Sequence, residues 1–153
     1  MSLRASFSKK TFMFSFRART SRGAMSHKDS WFLKVWDTHQ PEVIGIGEAG
    51  PLPGLSSEKP EDVEEQLTRL VTLISKGPGI DQLRSMEAIQ EFIKTASLPS
   101  SLIFALETAL LDLKNNGTRT IFQNSFLKGQ SIPINGLVWM GGLDFMLSQV
   151  SIK

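Results

Sequence analysis

The segment 132–140 constrains the fold of this chain more than any other. It reads Ile-Pro-Ile-Asn-Gly-Leu-Val-Trp-Met, and such a nearly continuous apolar run is typical of a strand buried on both faces of a parallel sheet. A strand of this kind needs neighbouring strands, and we find none like it elsewhere in the sequence. A helix is indicated directly afterwards by Asp144, Phe145, Met146, Val150 and Ile152. The sequence therefore predicts a βα unit of the kind that begins a barrel or a doubly wound sheet.

Three strands are predicted in the first third of the chain, at residues 11–17, 31–37 and 43–48. Between the first two, residues 18–29 are polar and predict a loop. Between the second and the third, Thr38-His39-Gln40-Pro41-Glu42 predicts a turn in which proline ends the pairing. Together the strands indicate an antiparallel meander.

Three helices are predicted next. Pro60 with two following acids begins the first, and Gly77-Pro78-Gly79 ends it. Ser85 is placed to cap the second helix. Pro99 and Ser100 open the third, which extends from Leu102 to about Asn116. Its apolar residues lie almost all the way round, which is typical of a helix buried on several sides.

Composition limits the class of protein. With 153 residues, 41% hydrophobic and 21% charged, the chain has the make-up of a compact globular domain. A net charge of +2 gives little support to nucleic-acid binding, and the lack of cysteine excludes disulfides and thiolate metal sites. No apolar run approaches the roughly 20 residues that cross a bilayer. The alternation of Phe12, Phe14 and Phe16 favours a strand over the helix of a transit peptide. Together with the lack of cysteine and of a long apolar run, this leads us to expect a cytoplasmic protein without membrane contact.

Several motifs have ordinary structural interpretations. Gly45 to Gly50 matches the dinucleotide pattern G-x-G-x-x-G, but Pro51-Leu52-Pro53-Gly54 follows where a helix is needed, so no nucleotide site is predicted. His27 and His39 have no partner at helical metal-ligand spacing and are expected on the surface. Glu107 and Asp112 are spaced to lie on different helix faces. We interpret these two acids as capping, exposed or paired with an arginine rather than as an acid–base pair.

The loop Arg17-Ala18-Arg19-Thr20-Ser21-Arg22-Gly23 combines three guanidinium groups with two hydroxyls. This composition suits binding of a carboxylate or a phosphate. A solvated hairpin loop explains it equally well, and composition alone leaves both interpretations open.

Four segments carry a family resemblance, which covers nearly the whole chain. They are Arg19-Thr20-Ser21-Arg22-Gly23, the run from Gly47 to Ser56, the run from Phe104 to Leu113, and the run from Ile132 to Gly141. In this order they resemble the o-succinylbenzoate synthase family, in the muconate-lactonizing-enzyme-like subgroup of the enolase superfamily. The segment Ile134 to Gly141 is similar to that branch in particular, whereas the second and third segments are patterns of the wider subgroup.

The resemblance implies an α+β fold. Residues 1–130 would form an enolase-superfamily N-terminal capping domain, a three-stranded antiparallel meander plus helices, and residues 131–153 would form the first βα unit of a truncated TIM-type barrel. The family implies a lyase, a Mg2+-dependent dehydratase of menaquinone biosynthesis, with a small-molecule dicarboxylate as substrate. Its Lys-x-Lys pair, opposing lysine and three acidic metal ligands lie on later barrel strands. We therefore expect no catalytic and no metal-binding residue in this chain, and the missing barrel domain as its partner.

The resemblance also implies a set of substrate-binding residues. The first closing loop would be Thr20 to Met25 and the second Pro51 to Leu55, and Arg22 would meet a substrate carboxylate. Met25 and Leu52 would form an apolar wall that excludes water. The expected substrate-binding residues are Thr20, Ser21, Arg22, Gly23, Met25, Leu52, Trp139 and Met140.

Two alternatives stay open. Another member of the same subgroup, such as a dipeptide epimerase or a muconate-type cycloisomerase, shares most of these motifs, since this scaffold hosts several reactions. A non-catalytic module that binds an anionic partner through Arg17 to Arg22 is the alternative from a different class. The lone barrel strand argues against the second, because such a module needs a self-sufficient fold.

Overall fold

The computed structural model describes residues 2–20, 23–83, 85–134, 136 and 138–152, without the side chains of 16, 18–20 and 152. The chain divides into two compact units. The first consists of Met1–Phe12 and Asp29–Ile121, and the second of Met13–Lys28 and Phe122–Lys153. Among the described residues, no helix is long and apolar enough to cross a membrane.

The predicted meander is present, but its strands are longer than the sequence suggested. Strands β1 (Leu3–Thr20), β2 (Gly23–Asp37) and β3 (Gln40–Ala49) form a sheet in the order β1-β2-β3. The prediction of a polar loop over 18–29 is wrong, because the described residues of that range continue β1 and β2. Most of the side chains that are described in this range, those of 23–29, are exposed. Ladder hydrogen bonds rather than burial therefore extend the strands, and no apolar alternation marks them.

Strands β2 and β3 pair in antiparallel register, with Trp31 opposite Ala49 and Trp36 opposite Ile44. Trp31, Leu33 and Val35 are buried and alternate with half-buried side chains, as expected when one face of a sheet covers a core. The register shifts between Trp36 and Asp37, where Asp37 pairs with Gln40.

All three predicted helices of the first unit are confirmed. A 3-10 turn, Pro60–Asp62, leads into α1 (Val63–Lys76), which ends at Gly77. Helix α2 (Met86–Thr95) begins at Ser85, whose hydroxyl accepts a hydrogen bond from the Ala88 N–H at 3.1 Å, as predicted. Helix α3 (Ser100–Lys114) is buried on several sides; its buried residues are Leu102, Ala105, Leu106, Ala109, Leu110, Leu111, Asp112 and Leu113.

Helix α3 packs directly on the glycines of β3. A Cβ added at Gly45 would lie 2.0 Å from the carbonyl oxygen of Ala109, and one at Gly47 would lie 1.8 Å from that of Ala105. Only glycine permits so close an approach of helix and strand backbones. The G-x-G pattern therefore serves helix packing. No helix opens directly after Ala49, where the dinucleotide pattern needs one, and the next helical residues begin at Pro60.

The second unit contains the predicted helix, α4 (Leu143–Ile152), but not the strand that should precede it. In the described part of 132–140, namely 132–134, 136 and 138–140, no strand is assigned. Ile132 and Ile134 are 59% and 87% exposed. A strand buried on both faces needs ladder partners for its N–H and C=O groups. No strand among the described residues pairs with this segment, so its apolar sequence alone does not make it a strand.

Candidate functional site

A cleft of 590 Å3 lies within the second unit, and two of the predicted site residues line it. Its lining residues are Arg17, Trp139, Met140, Gly141, Gly142, Phe145 and Gln149. Strand β1 contributes the guanidinium group and the start of α4 contributes the aromatic ring of Phe145. Clefts with apolar walls and one charged group commonly hold small ligands and orient them through the charge.

Gln149 fixes the backbone of Trp139 at this cleft. Its side-chain Oε1 accepts from the Trp139 N–H at 2.9 Å, and its Nε2 donates to the Trp139 carbonyl at 3.1 Å. The same Nε2 donates to the carbonyl of Phe145 at 3.2 Å. A side-chain amide thus satisfies both the N–H and the carbonyl group of Trp139.

Arg17 supplies the charge of the cleft. Its side chain is exposed, and Trp139, Met140 and Phe145 provide polarizable, apolar walls beside it. A planar ring bearing a carboxylate fits this combination, since a guanidinium group pairs with a carboxylate in a bidentate manner and aromatic side chains stack on a ring. Sequence reasoning placed Arg17 only in the anion-binding loop and missed Phe145 and Gln149. For Arg17, the sequence held one indication of its place in a strand, namely its position in the alternating pattern of residues 11–17.

The first predicted closing loop is described only in part. Thr20 ends β1, but its side chain, like Ser21 and Arg22, lies outside the described residues. Gly23 begins β2 with φ +131°, a conformation that favours glycine, and a Cβ there would meet no atom within 4 Å. Met25 is half-buried in β2. The contact between Arg22 and a carboxylate therefore stays a prediction.

The second predicted closing loop lies in the first unit and forms a compact turn. The Leu52 carbonyl accepts from the N–H groups of Leu55 and Ser56 at 3.0 and 2.9 Å. The Ser56 hydroxyl in turn accepts from the Leu52 N–H at 2.9 Å. Leu52 is half-buried and Leu55 is 45% exposed. The loop is thus closed by hydrogen bonds to the backbone of Leu52, and the apolar side chain of Leu55 is exposed to solvent.

Asp112 has the structural role that we inferred from its position. Its side chain is 1% exposed and accepts hydrogen bonds from the N–H groups of Ile46 and Arg119 at 2.9 and 2.8 Å. The Arg119 guanidinium forms an ion pair with the same carboxylate. Asp112 therefore ties α3 to β3 and to the segment after the helix. Both histidines are exposed, as expected.

Among the described residues, no three His, Cys, Asp or Glu side chains lie close enough together to hold a metal ion. Magnesium requires several oxygen ligands in near-octahedral geometry. The Mg2+ that the family resemblance implies therefore has no fitting site in the described part of this chain.

Comparisons with known proteins identify similar sequences and structures, although no family model matches the sequence. An o-succinylbenzoate synthase of Desulfotalea psychrophila is 31% identical, over 97% of this chain and 45% of the relative. The crystal structure of MenC from the same organism has a TM-score of 0.75 and 26% identity, covering 99% of this chain and 46% of that one. An enolase family member from Agrobacterium tumefaciens, with homology to dipeptide epimerases, has a TM-score of 0.68 and 19% identity, covering 98% and 42%.

The three-stranded antiparallel sheet with its helices has the fold of the N-terminal capping domain of the enolase superfamily. The sequence is similar to o-succinylbenzoate synthase, as the resemblance of its motifs indicated. The chain spans less than half the length of the relative that it matches.

Proposed function

We propose that this chain is the substrate-closing, N-terminal part of an o-succinylbenzoate synthase. The enzyme would be a cytoplasmic lyase of menaquinone biosynthesis that dehydrates a cyclohexadiene dicarboxylate to o-succinylbenzoate. The observation that carries the proposal is the 31% identity to the Desulfotalea synthase over nearly the whole chain. The cleft beside Arg17 supports it, because a ring with carboxylates needs both a cation and apolar walls.

Each group of residues has a proposed task. Arg22, together with Arg17 of β1, binds a substrate carboxylate through charge-assisted hydrogen bonds. The apolar side chains of Met25 and of Leu52 are each proposed to exclude water from the substrate. Trp139 and Met140 lie beside the substrate ring. All of these residues bind and orient the substrate, and none of them transfers a proton.

Magnesium belongs to the same proposal. A dipeptide epimerase from Enterococcus faecalis, with a TM-score of 0.61 and 16% identity, is complexed with Mg and L-Leu-L-Tyr. By analogy the complete enzyme uses Mg2+. Because the described residues contain no group that fits the ion, no step of the reaction is assigned to this chain. We propose that a barrel domain supplies the base and the metal ligands and that this chain by itself is catalytically incomplete.

A second candidate is a dipeptide epimerase. The Agrobacterium structure, whose fold matches 98% of this chain, contains bound sodium and L-Ala-L-Glu. A dipeptide also carries a carboxylate for an arginine to bind, so the charged loop does not separate the two substrates. A muconate-type cycloisomerase and a non-catalytic anion-binding module are weaker alternatives, without a comparable observation.

The test is a substrate panel on the complete gene product. The cyclohexadiene dicarboxylate and L-Ala-L-Glu are assayed with Mg2+ and again with EDTA, and the 153-residue chain is assayed beside it. We expect magnesium-dependent turnover of the dicarboxylate by the complete product and none by the chain. Preferential turnover of the dipeptide would replace the proposal by the epimerase, and turnover by the chain alone would contradict its incompleteness.

The same assay tests the closing loop. Replacing Arg22 by Ala removes a charge-assisted contact, which should lower kcat/KM by about ten- to a hundredfold. Lys28→Ala, which removes a cation from β2 outside the predicted site, is the matched control. An Arg22→Ala enzyme with unchanged kcat/KM would support the other interpretation of this loop, a solvated hairpin loop that does not bind the substrate.

A further inference from the structure

The N-terminus of α3 has no cap of its own. The residue that precedes the helix, Pro99, makes no side-chain cap hydrogen bond, and the first turn contains no acid. The first N–H groups of any helix lack partners within it and carry the positive end of the helix dipole. A buried, central helix such as α3 therefore needs a capping group from elsewhere in the chain.

Glu58 provides that group. Glu58 as a whole is only 9% exposed, and its Oε1 accepts from the Ser101 N–H at 3.0 Å, across 43 residues of sequence. Its Oε2 accepts from the Ser57 hydroxyl at 2.9 Å. Burial by itself raises the pKa of the Glu58 carboxyl, but hydrogen bonds from Ser101 and Ser57 outweigh burial and hold that pKa below its ordinary value. The group that caps α3 is thus an anion at neutral pH.

The capping residue also lies just after the second closing loop. The turn around Leu52 closes through Ser56, two residues before Glu58. The other side of the contact is fixed, since α3 packs against the glycines of β3 with no space for even a Cβ atom. The carboxylate therefore joins a short loop to the most constrained helix of the unit. Movement of the loop at Glu58 would leave the Ser101 N–H without its acceptor.

We propose that Glu58 is a positioning residue, which holds the second closing loop against the N-terminus of α3 so that Leu52 has one fixed position for contact with the substrate. Its importance for substrate binding rests on the proposed function. The positioning itself does not, because it is a property of the chain and is measurable without any substrate.

The first experiment measures amide hydrogen exchange in the 153-residue chain at neutral pH. In Glu58→Ala, we expect the Leu55 and Ser56 amides to exchange about tenfold faster, because the loop opens without its anchor. Glu58→Gln keeps an acceptor oxygen and should restore part of the protection. Glu61→Gln, which neutralises an exposed acid just beyond the loop, is the matched control and should leave these amides unchanged.

A purely structural cap predicts a different pattern. In that case the amides of α3 and of the whole unit would accelerate together, with no excess in the loop, and the proposal would be overturned. Unchanged loop amides in Glu58→Ala would overturn it as well.

The second experiment uses the complete gene product. We expect Glu58→Ala to raise KM for the dicarboxylate about tenfold with a smaller change in kcat, and Glu58→Gln to recover part of the loss. If the unmodified protein does not turn over the dicarboxylate, the proposed function fails while the exchange result still decides the positioning. If the unmodified protein is active and Glu58→Ala leaves kcat/KM unchanged, the positioning role fails and the proposed function stands.

Discussion

Helix α3 and the segment 132–140 are both rich in apolar residues, but the helix is largely buried and the described residues of the segment are largely exposed. In α3, Leu102, Leu106 and Leu110 are fully buried. In the segment, Ile134 is 87% exposed and Trp139 is 41% exposed. The difference lies in the partners, because β3 offers the helix a surface of glycines, whereas the described residues offer the segment no strand to pair with. An apolar run shows that a partner is needed and does not show that one is present.

The largest effect is expected where α3 meets β3. Replacing Gly47 by Ala places a methyl group 1.8 Å from the Ala105 carbonyl oxygen, so helix and strand must separate. We expect a loss of about 3–5 kcal/mol in the free energy of unfolding, measured by urea denaturation. Gly142→Ala is the control, because a Cβ there meets no atom within 4 Å. Equal stability of the two variants would show that the backbones of α3 and β3 are not in close contact at Gly47.

Asp112 gives the next largest effect. Asp112→Ala removes the acceptor for the Ile46 and Arg119 N–H groups and leaves the Arg119 guanidinium without its buried partner. The expected loss is about 2–3 kcal/mol, since buried donors lose their hydrogen bonds. The control is Glu65→Ala, which breaks an ion pair with Arg69 on the exposed face of α1 and should cost less than about 0.5 kcal/mol. A similar loss in both would contradict the structural role of Asp112.

Glu58 should produce a smaller effect that depends on pH. Its pKa lies below the ordinary value of 4.5 in the folded state, so its carboxylate stabilises the fold above about pH 4.5, and this contribution disappears as the pH falls through the lowered pKa. At pH 7 we expect Glu58→Gln to cost about 1 kcal/mol, the usual size of a helix cap, because the charge keeps some access to solvent. In urea titrations the difference from the unmodified chain should shrink toward pH 3. A difference that is constant with pH would exclude the charge as its cause.

The sequence predicts the helices and strands of this fold where the pattern that indicates them is local. Such patterns extend over a few residues only. They are the cap at Ser85, the helix limits at Pro60 and Gly77, and the alternation of Trp31, Leu33 and Val35. Contacts between distant residues leave no such pattern, and Glu58 reaches Ser101 across 43 positions. The start of β2 was missed because its largely exposed residues show no apolar alternation. The start of β1 was missed although Leu3, Ala5 and Phe7 alternate and pack in or against the core.

The candidate site was predicted less completely than the fold. Trp139 and Met140 lie in the cleft of the second unit together with Arg17, which was known only as part of a charged loop. Gln149 was not predicted, because its role depends on a bend of the backbone that brings it to Trp139. Arg22 and Ser21 lie outside the described residues. Their part in substrate binding stays a prediction from the family resemblance.

The smallest expected effect on stability tests the segment 132–140 itself. Deleting residues 131–153 should change the free energy of unfolding of the first unit by less than about 0.5 kcal/mol, because the buried hydrophobic core of the described residues extends from Leu3 to Leu113 and includes none of the deleted residues. Self-association should change more, since exposed apolar side chains such as Ile132, Ile134 and Leu143 promote contact between copies. Sedimentation velocity of the two chains at equal concentration measures this. We expect the shortened chain to be more monomeric. If it associates more strongly than the 153-residue chain, the deleted residues cover an apolar surface instead of exposing one, and the contrast between α3 and this segment disappears.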